Sequence, residues 1–313
     1  MRISFVIPAL NEQDSLQQLT SEIQTHCPTQ DHEIIYIDDG STDESFKIMG
    51  ELAAKDERIK VVRFRRNFGK AAALQKGFSV ADGEIVFTLD ADLQDDPSEI
   101  PAFLAKLDEG YDLVSGWKQK RKDPWHKRWP SKLYNWVTAR TFGLKLKDYN
   151  CGFKAYRKSL VKELVLYGEM HRYIPVLAHS MGYKVGQIPV HHRARKFGKS
   201  KYGTERYLRG LFDLLTVRMV THYSKSPLYL FGRWGLVSTL LGLVISGYLA
   251  ALKIFWGVPL SNRPLLFLGI LLILGGLQFA SLGLISELIV NKFNARDKQN
   301  FSVKESINLD DAE

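Results

Sequence analysis

Cysteine is almost absent from this sequence of 313 residues, which contains only Cys27 and Cys151. Two cysteines cannot build a disulfide framework, and neither has the neighbours of a zinc site, so both kinds of stabilised small domain are excluded. We also expect no N-terminal signal peptide, because Met1 leads directly into the strand-like segment Ile3 to Ile7. We therefore expect a reducing compartment and an N-terminal part that stays in the cytoplasm.

Acidic residues are too few to balance the basic ones, since 34 Asp and Glu face 43 Lys and Arg and leave a net charge of +9. An excess of positive charge favours an acidic partner: nucleic acid, an anionic lipid surface or a phosphorylated substrate. Hydrophobic residues at 45% and charged residues at 25% are ordinary for a globular protein. Composition alone does not choose among the three partners.

Up to about Gly116, short apolar runs alternate with segments of helical periodicity. The runs predict strands at Ile3 to Ile7, Glu33 to Ile37, Ile59 to Phe64, Glu84 to Leu89 and Tyr111 to Ser115, and the other segments predict helices at Gln13 to His26, Asp43 to Lys55, Lys70 to Val80 and Pro97 to Leu107. This alternation predicts an α/β fold with a mostly parallel sheet covered on both faces.

Three side chains with oxygen donors follow the fourth predicted strand: Asp90, Asp92 and Gln94. Taken alone, an Asp-x-Asp pair is more typical of a solvated loop than of a site. Here the pair stands where a buried strand ends, at the edge of the sheet where open α/β folds bind ligands. Two carboxylates and an amide oxygen suit a hard cation such as Mg²⁺ or Mn²⁺, so the sequence predicts a metal site there.

Two long uncharged segments, Gly235 to Leu252 and Pro264 to Ser286, stand near the end of the chain. A helix needs about 20 apolar residues to cross the hydrocarbon core, so we predict a transmembrane hairpin over 226–292 with spans at about 232–254 and 264–288. Basic residues on both sides of the hairpin place the chain ends in the cytoplasm of a bacterial inner membrane or plasma membrane. The tail, 293–313, is assigned to the same side.

Two further segments, at about 124–143 and 205–224, interleave aromatic and apolar residues with basic ones. Each is typical either of an amphipathic helix on an anionic membrane surface or of a helix packed in a core. Beside a transmembrane hairpin the first interpretation is favoured. Residues 1–225 are therefore predicted to form a cytoplasmic catalytic domain that includes these membrane-surface helices.

Ordered motifs give the sequence a family resemblance. These motifs are Phe5 to Glu12, Ile37 to Asp43, Asn67 to Lys70, Asp90 to Gln94, Asp148 to Arg157 and Arg195 to Tyr202. The first four resemble inverting family 2 glycosyltransferases with the Rossmann-like GT-A fold. The last two resemble the polyprenyl-phosphate branch, which includes dolichyl-phosphate mannose synthase and the bacterial GtrB-like glucosyltransferases; the two-helix tail is similar to the GtrB-like group.

The resemblance implies roles for the residues of a donor site. Residues assigned to the nucleotide sugar are Pro8, Ala9, Glu12, Asp39, Lys70 and Asp90, with Lys70 on a phosphate and Asp39 facing the base. Asp90, Asp92 and Gln94 hold the divalent ion. A metal there neutralises charge on the diphosphate as the anomeric bond breaks, which makes Asp92 a catalytic residue. For Lys70, a solvated lysine is an equal alternative.

The implied acceptor is a phosphate monoester, whose second pKa of about 6 leaves its oxygen anionic at cytoplasmic pH. Asp148 then orients the acceptor or takes a residual proton, although an Asp that only stabilises a turn remains the alternative. Residues assigned to the acceptor and its phosphate are Lys118, Arg121, Ser131, Asn135, Arg195 and Ser200. Surface polarity is an open alternative for Ser131 and Asn135.

The sequence therefore predicts inverting transfer of a hexose, first of all glucose from UDP-glucose, to undecaprenyl or another polyprenyl phosphate. Mannose from GDP-mannose and an aminoarabinose from its UDP derivative are the alternatives. A processive polysaccharide synthase is disfavoured, because neither Arg-Trp pair is preceded by the glutamine of its signature. A non-enzymatic membrane scaffold is disfavoured, because it would not need acidic residues at the strand ends. Nucleic-acid binding is disfavoured as well, because the sequence contains no recognised nucleic-acid-binding module. We also expect a homo-oligomer.

Overall fold

The computed structural model describes residues 1–118, 138–193, 216–223, 226–260 and 263–294. The chain divides into two compact units, with the division between Val217 and Arg218. The predicted boundaries at 225 and 292 stay predictions. Most of the two predicted membrane-surface segments, 124–143 and 205–224, lies outside the described residues, and so does the tail except for its first two positions.

The first unit alternates strands and helices as the sequence predicts. Its strands are β1 (Ile3–Ala9), β2 (His32–Asp38), β3 (Ile59–Arg63), β4 (Ile85–Thr88), β5 (Leu113–Lys118), β6 (Lys154–Arg157) and β7 (Val185–Val190). Its helices are α1 (Leu16–His26), α2 (Ser45–Lys55), α3 (Lys70–Val80), α4 (Ile100–Asp108), α5 (Lys158–Glu163) and α6 (Ile174–Ser180). Short 3₁₀ turns form at Pro97–Glu99 and Met170–Arg172.

The seven strands form one sheet in the order β3-β2-β1-β4-β6-β5-β7. The first four strands of this order are parallel to one another, while β6 runs antiparallel to both β4 and β5. The mostly parallel α/β fold is therefore confirmed, with β6 as the reversed strand. Because the carboxyl ends of β1, β2 and β4 lie at one edge, the loops that follow them meet there.

Aromatic side chains fill one face of the sheet beside this edge. Phe87 on β4 stacks on Phe5 of β1 at 5.4 Å between ring centroids and meets Phe103 of α4 edge-on at 5.8 Å. Phe153, one residue before β6, packs on Phe103 at 4.3 Å. These contacts hold β4 and β6 in place on one face of the sheet, so the loops at the ends of both strands are attached to rigid strands.

The second unit is a hairpin of two helices, α7 (Pro227–Trp256) and α8 (Pro264–Asn294). Both are long and apolar enough to cross a membrane, over Pro227–Trp256 and Pro264–Val290. Small residues let the two helices approach closely: a Cβ added to Gly235 would lie 2.7 Å from the carbonyl oxygen of Gly276. The predicted apolar hairpin is thus confirmed as a structure, with helices a few residues longer than the predicted spans.

Candidate active site

The acidic loop, residues 89–96 after β4, is folded back on itself. Leu93 adopts a left-handed backbone with φ of 58°, which turns the chain within the loop. The backbone N–H of Gln94 donates to Asp92 Oδ1 at 3.2 Å, and that of Asp90 donates to Asp95 Oδ2 at 3.4 Å. Asp92 and Asp95 are buried, whereas the Asp90 side chain is 34% exposed. The loop therefore holds three carboxylates close together at the sheet edge.

Lys70, the first residue of α3, forms an ion pair with Asp90. Burial alone would raise the pKa of Asp90, but the charges of Lys70, Lys118 and Lys154 outweigh it and hold that pKa below its usual range. Asp90 is thus ionised and already partnered by a cation. The structure places Lys70 against the acidic loop, which excludes the free solvated lysine that the sequence left open. The phosphate contact stays a prediction.

Asp95 is more deeply buried than Asp92, and sequence analysis gave it no role. Burial raises its pKa to about 6, with the charge of Lys118 lowering it and those of Asp90 and Asp92 raising it. Its Oδ1 has no hydrogen-bond partner among the residues that the structure describes. Burial would lower the pKa of Lys118, but Asp95 and other neighbouring groups raise it above the usual range. Lys118, the predicted acceptor ligand, therefore faces the acidic loop as a cation.

Asp95→Asn is expected to stabilise the protein at pH 7.5 in the presence of a chelator. The folded state takes up a proton at Asp95 near pH 6, whereas the unfolded chain does so near 3.8, so wild-type stability gains a contribution as the pH falls from 7.5 toward 4. The amide removes the buried charge and this pH dependence. Thermal unfolding at pH 7.5 and 5 checks the prediction; a variant less stable than wild type at pH 7.5 contradicts it.

Asp39 holds the loop that leads into α3. Its carboxylate accepts the backbone N–H of Phe68 at 2.7 Å and that of Gly69 at 3.0 Å. Burial raises its pKa, while these two N–H donors lower it, for a net rise. Gly69 has φ of 92°, a backbone that favours glycine and allows the chain to enter α3 at Lys70. Asp39 therefore positions Lys70, and its predicted contact with a nucleobase stays a prediction.

The predicted donor residues of the first loop lie next to Asp39. The carbonyl oxygen of Ala9 accepts the backbone N–H of Asp39 at 2.9 Å, so the ends of β1 and β2 are joined. The backbone N–H of Glu12 donates to Ser45 Oγ at 2.8 Å. Pro8 is the residue before Ala9 on β1. These contacts bring the three residues to the edge that carries the acidic loop.

Asp148 is buried in the segment that precedes β6. Its Oδ1 accepts the backbone N–H of Asn150 at 3.0 Å, which is the turn-stabilising contact that the sequence left open as an alternative. The carbonyl oxygen of Asp148 accepts Nε2 of Gln187 at 3.0 Å. The same segment reaches the acidic loop through Gly152, where an added Cβ would lie 2.6 Å from Asp90 Oδ2. A catalytic role for Asp148 stays a prediction.

Arg193, which sequence analysis missed, ties the end of β7 to the acidic loop. Its guanidinium pairs with Asp96 at 2.8 Å and with Glu22 of α1 at 2.6 Å. Its backbone N–H donates to the Gln94 carbonyl oxygen at 2.9 Å, and Gln94 Nε2 donates back to the Arg193 carbonyl oxygen at 3.4 Å. Three segments that are distant in sequence are thus held by one residue.

Arg193→Ala is expected to lower the free energy of unfolding by about 2 kcal/mol, because Glu22 and Asp96 lose a shared, partly buried partner. The predicted sugar transfer should fall as well, because the backbone of residue 193, which binds Gln94, is no longer fixed by the side-chain ion pairs to Asp96 and Glu22. Thermal unfolding and transfer assays in detergent check both effects. Lys47→Ala removes an exposed ion pair with Glu44 and serves as the matched control, with no expected change. Equal unfolding temperatures for the two variants would contradict the prediction.

Five predicted site residues lie outside the described residues: Arg121, Ser131, Asn135, Arg195 and Ser200.

The structure bears on whether the predicted ligands, Asp90, Asp92 and Gln94, could hold a metal ion. No group of three or more His, Cys, Asp or Glu side chains in the described part of the chain is arranged to hold a metal. Asp92 and the Oε1 of Gln94 nevertheless offer hard oxygen donors, and Mg²⁺ is commonly held by one or two carboxylates together with substrate phosphates. The donor set fits an ion that a diphosphate completes.

The mostly parallel sheet with acidic loops at the ends of β2 and β4 has the GT-A fold. Solved structures of that fold include glucosyl-3-phosphoglycerate synthase from Mycobacterium tuberculosis, in complex with Mn²⁺, UDP-glucose and phosphoglyceric acid. It aligns with a TM-score of 0.54 and 22% identity over 69% of this chain and 79% of that one, so the likeness concerns the fold.

The chain belongs to glycosyl transferase family 2, whose pattern matches residues 4–165. It is 34% identical to dodecaprenyl-phosphate galacturonate synthase of Rhizobium johnstonii, over 97% of this chain and 93% of that protein. It is also 37% identical to undecaprenyl-phosphate 4-deoxy-4-formamido-L-arabinose transferase of Klebsiella pneumoniae, over 94% of this chain and 89% of that protein. The predicted family is therefore confirmed.

Proposed function

We propose that this protein transfers a sugar from a nucleoside diphosphate donor to a polyprenyl phosphate, with inversion at the anomeric carbon. The observation that carries the proposal is the similarity to two polyprenyl-phosphate sugar transferases over more than nine-tenths of this chain. The acidic loop and the apolar hairpin supply the two surfaces that such a reaction needs, one for a diphosphate and one for a lipid.

The donor diphosphate binds at the acidic loop. Asp92 and Gln94 hold a divalent cation, Mg²⁺ or Mn²⁺, which neutralises charge on the leaving diphosphate when it is bound. Gln94 is suited to this because its Nε2 is engaged by the Arg193 carbonyl oxygen, so Oε1 is the end that remains for a ligand. Lys70 and Lys118 bring positive charge to the same loop and favour an anionic ligand there.

The acceptor supplies its own nucleophile. A phosphate monoester with a second pKa of about 6 is anionic at neutral pH, so the enzyme needs no strong general base. Lys118 reduces the repulsion between the acceptor phosphate and the donor diphosphate. Asp148 then has a positioning task, or accepts the residual proton when the phosphate arrives protonated.

The identity of the transferred sugar is proposed from the two relatives. Sequence analysis put glucose first, whereas the two relatives are named for galacturonate and for 4-deoxy-4-formamido-L-arabinose. We therefore place the formamido-arabinose and galacturonate ahead of glucose, with mannose behind them. The hairpin anchors the protein in the membrane, and the catalytic unit faces the cytoplasm, where nucleotide sugars are made. A homo-oligomer remains part of the proposal.

The proposal is tested with purified full-length protein, undecaprenyl phosphate and Mg²⁺ or Mn²⁺. Radiolabelled UDP-formamido-arabinose, UDP-galacturonate, UDP-glucose and GDP-mannose are supplied one at a time. We expect label from one of the first two donors to enter the lipid phase fastest, and only when polyprenyl phosphate is present. If none of the four donors gives labelled lipid, the proposed donor class is contradicted. If label is transferred without polyprenyl phosphate, the proposed acceptor is contradicted.

A further inference from the structure

His171 is a residue with a buried polar atom that is not part of the acidic loop or of the predicted donor site. His171 stands in the 3₁₀ turn Met170–Arg172, and its Nδ1 is buried without a hydrogen-bond partner among the described residues. Burying a ring nitrogen without a hydrogen-bond partner is unfavourable. Such a cost is common where a ligand supplies the missing partner, so the surroundings of this ring are informative.

The chain places His171 on the same side of the sheet as Lys70. The turn packs against α3, whose first residue is Lys70. The segment before the turn is fastened to the same helix, because the backbone N–H of Leu166 donates to Gln75 Oε1 at 2.6 Å. Tyr173, directly after the turn, is fully buried. His171 is therefore held in a fixed position against the helix that begins at Lys70.

The ring carries no charge in this position. Burial lowers its pKa, the charges of Lys70, Arg172 and Lys154 lower it further, and Asp90 opposes them, which leaves a pKa of about 2. A neutral imidazole has one N–H donor and one nitrogen acceptor. The neighbouring lysines are donors only, so this ring is the one among these groups that can also accept a hydrogen bond. Phosphate oxygens are acceptors and have better partners in Lys70 and Lys118.

A hydroxyl group fits this ring better than a phosphate does, because a hydroxyl both donates and accepts. The donor sugar is bonded directly to the diphosphate that Asp92 and Gln94 hold in the proposed function. Its ring must consequently lie within a few ångströms of the acidic loop. Asp90 of that loop pairs with Lys70, the first residue of the helix against which the His171 turn packs.

The geometry points to His171 as a residue that binds a hydroxyl or other polar substituent of the donor sugar and thereby positions the sugar for transfer. This inference rests on the proposed function, because it takes the diphosphate to lie at Asp92. It assigns the discrimination between donor sugars in part to the turn Met170–Arg172. A site that hydrogen-bonds a substituent discriminates strongly against donors that lack it.

The test compares His171→Phe, His171→Asn and wild type. Phenylalanine keeps the ring volume without polar atoms, and the asparagine amide places a polar atom close to the position of Nδ1. We expect His171→Phe to weaken binding of the nucleotide sugar about tenfold by calorimetry without acceptor, while binding of the free nucleoside diphosphate is unchanged. His171→Asn should recover part of the loss. His179→Phe, at an exposed position of α6, is the matched control with no expected effect.

Stability and kinetics separate this role from a structural one. Because an unpartnered buried nitrogen is replaced by carbon, the unfolding temperature of His171→Phe should equal or exceed that of wild type. The KM for the nucleotide sugar should rise while the KM for polyprenyl phosphate stays the same. Equal loss of nucleotide-sugar and nucleoside-diphosphate binding, or a lower unfolding temperature with unchanged relative rates across the donor panel, would overturn the inference. If wild type transfers none of the sugars, the proposed function fails instead.

Discussion

Asp92→Ala is expected to reduce sugar transfer by about a thousandfold while the protein still folds and inserts into membranes. The carboxylate is buried in the acidic loop and is a predicted ligand of the divalent cation. Without it a divalent cation loses its main protein ligand, and charge on the leaving diphosphate is no longer neutralised in the transition state. The rate of label transfer into the lipid phase, measured at saturating Mg²⁺ or Mn²⁺, checks this expectation.

A substitution of another acidic residue, Asp31, is the control for Asp92→Ala. Asp31 stands just before β2 at the opposite edge of the sheet, and its side chain is 64% exposed. Asp31→Asn should therefore transfer sugar at the wild-type rate. Both variants should partition into membranes as wild type does, because the apolar hairpin is untouched. Undiminished transfer by Asp92→Ala would remove the basis for a metal site in the acidic loop.

Gly152→Ala is expected to reduce transfer about a hundredfold with little loss of stability. The added Cβ would meet both oxygens and the Cγ of Asp90 at 2.6 to 2.9 Å, so the carboxylate has to move. A side-chain end can move at small cost to the fold, but this one is part of the candidate site, where a displacement of about 1 Å is enough for such a loss. Thr88 Oγ1, which donates to the Gly152 carbonyl oxygen at 2.8 Å, keeps the backbone in place.

The same substitution elsewhere provides the control for Gly152. Gly50 lies within α2, and a Cβ added there meets nothing within 4 Å. Gly50→Ala should leave transfer unchanged and raise stability slightly, because alanine favours the helix. Transfer rates and unfolding temperatures are measured for both variants. If Gly152→Ala is as active as wild type, Asp90 does not need its present position, and its assignment to the donor site is wrong.

Much of the fold was predictable because its signals are local. The first four predicted strands and their helices match β1 to β4 and α1 to α4 within a few residues, since apolar runs and helical periodicity depend on neighbours in sequence. Strand β6 was missed because it has four residues and contains Lys154, whose buried ammonium group donates to the Cys151 carbonyl oxygen. A charged residue inside a short strand hides the apolar pattern.

The candidate site was predictable only in its acidic loop. Asp90 and Asp92 stand directly after a strand, so their place at the sheet edge followed from the pattern. The residues that hold this loop come from far along the chain: Arg193 reaches Asp96 and Glu22, and Gly152 reaches Asp90. Such contacts depend on how the strands are ordered in the sheet. The strand order cannot be read from the local patterns of a single sequence.

The structure also changes the interpretation of two predicted residues. Lys70 was assigned to a donor phosphate, yet it pairs with Asp90. Asp39 was assigned to the base, yet its carboxylate accepts the backbone N–H groups of Phe68 and Gly69. Both residues therefore shape the site before any ligand arrives. A contact with the donor would be a second task for each of them.

In the proposed reaction, an oxygen of the lipid phosphate itself attacks the anomeric carbon of the sugar. This attack is tested most directly by analysing the products of one reaction with a labelled nucleotide sugar and polyprenyl phosphate. We expect one nucleoside diphosphate to be released per sugar transferred. The lipid product should have a single phosphorus between lipid and sugar and an inverted anomeric configuration by NMR. Release of a nucleoside monophosphate with a pyrophosphate-linked lipid, or retention of the anomeric configuration, would contradict the proposed reaction.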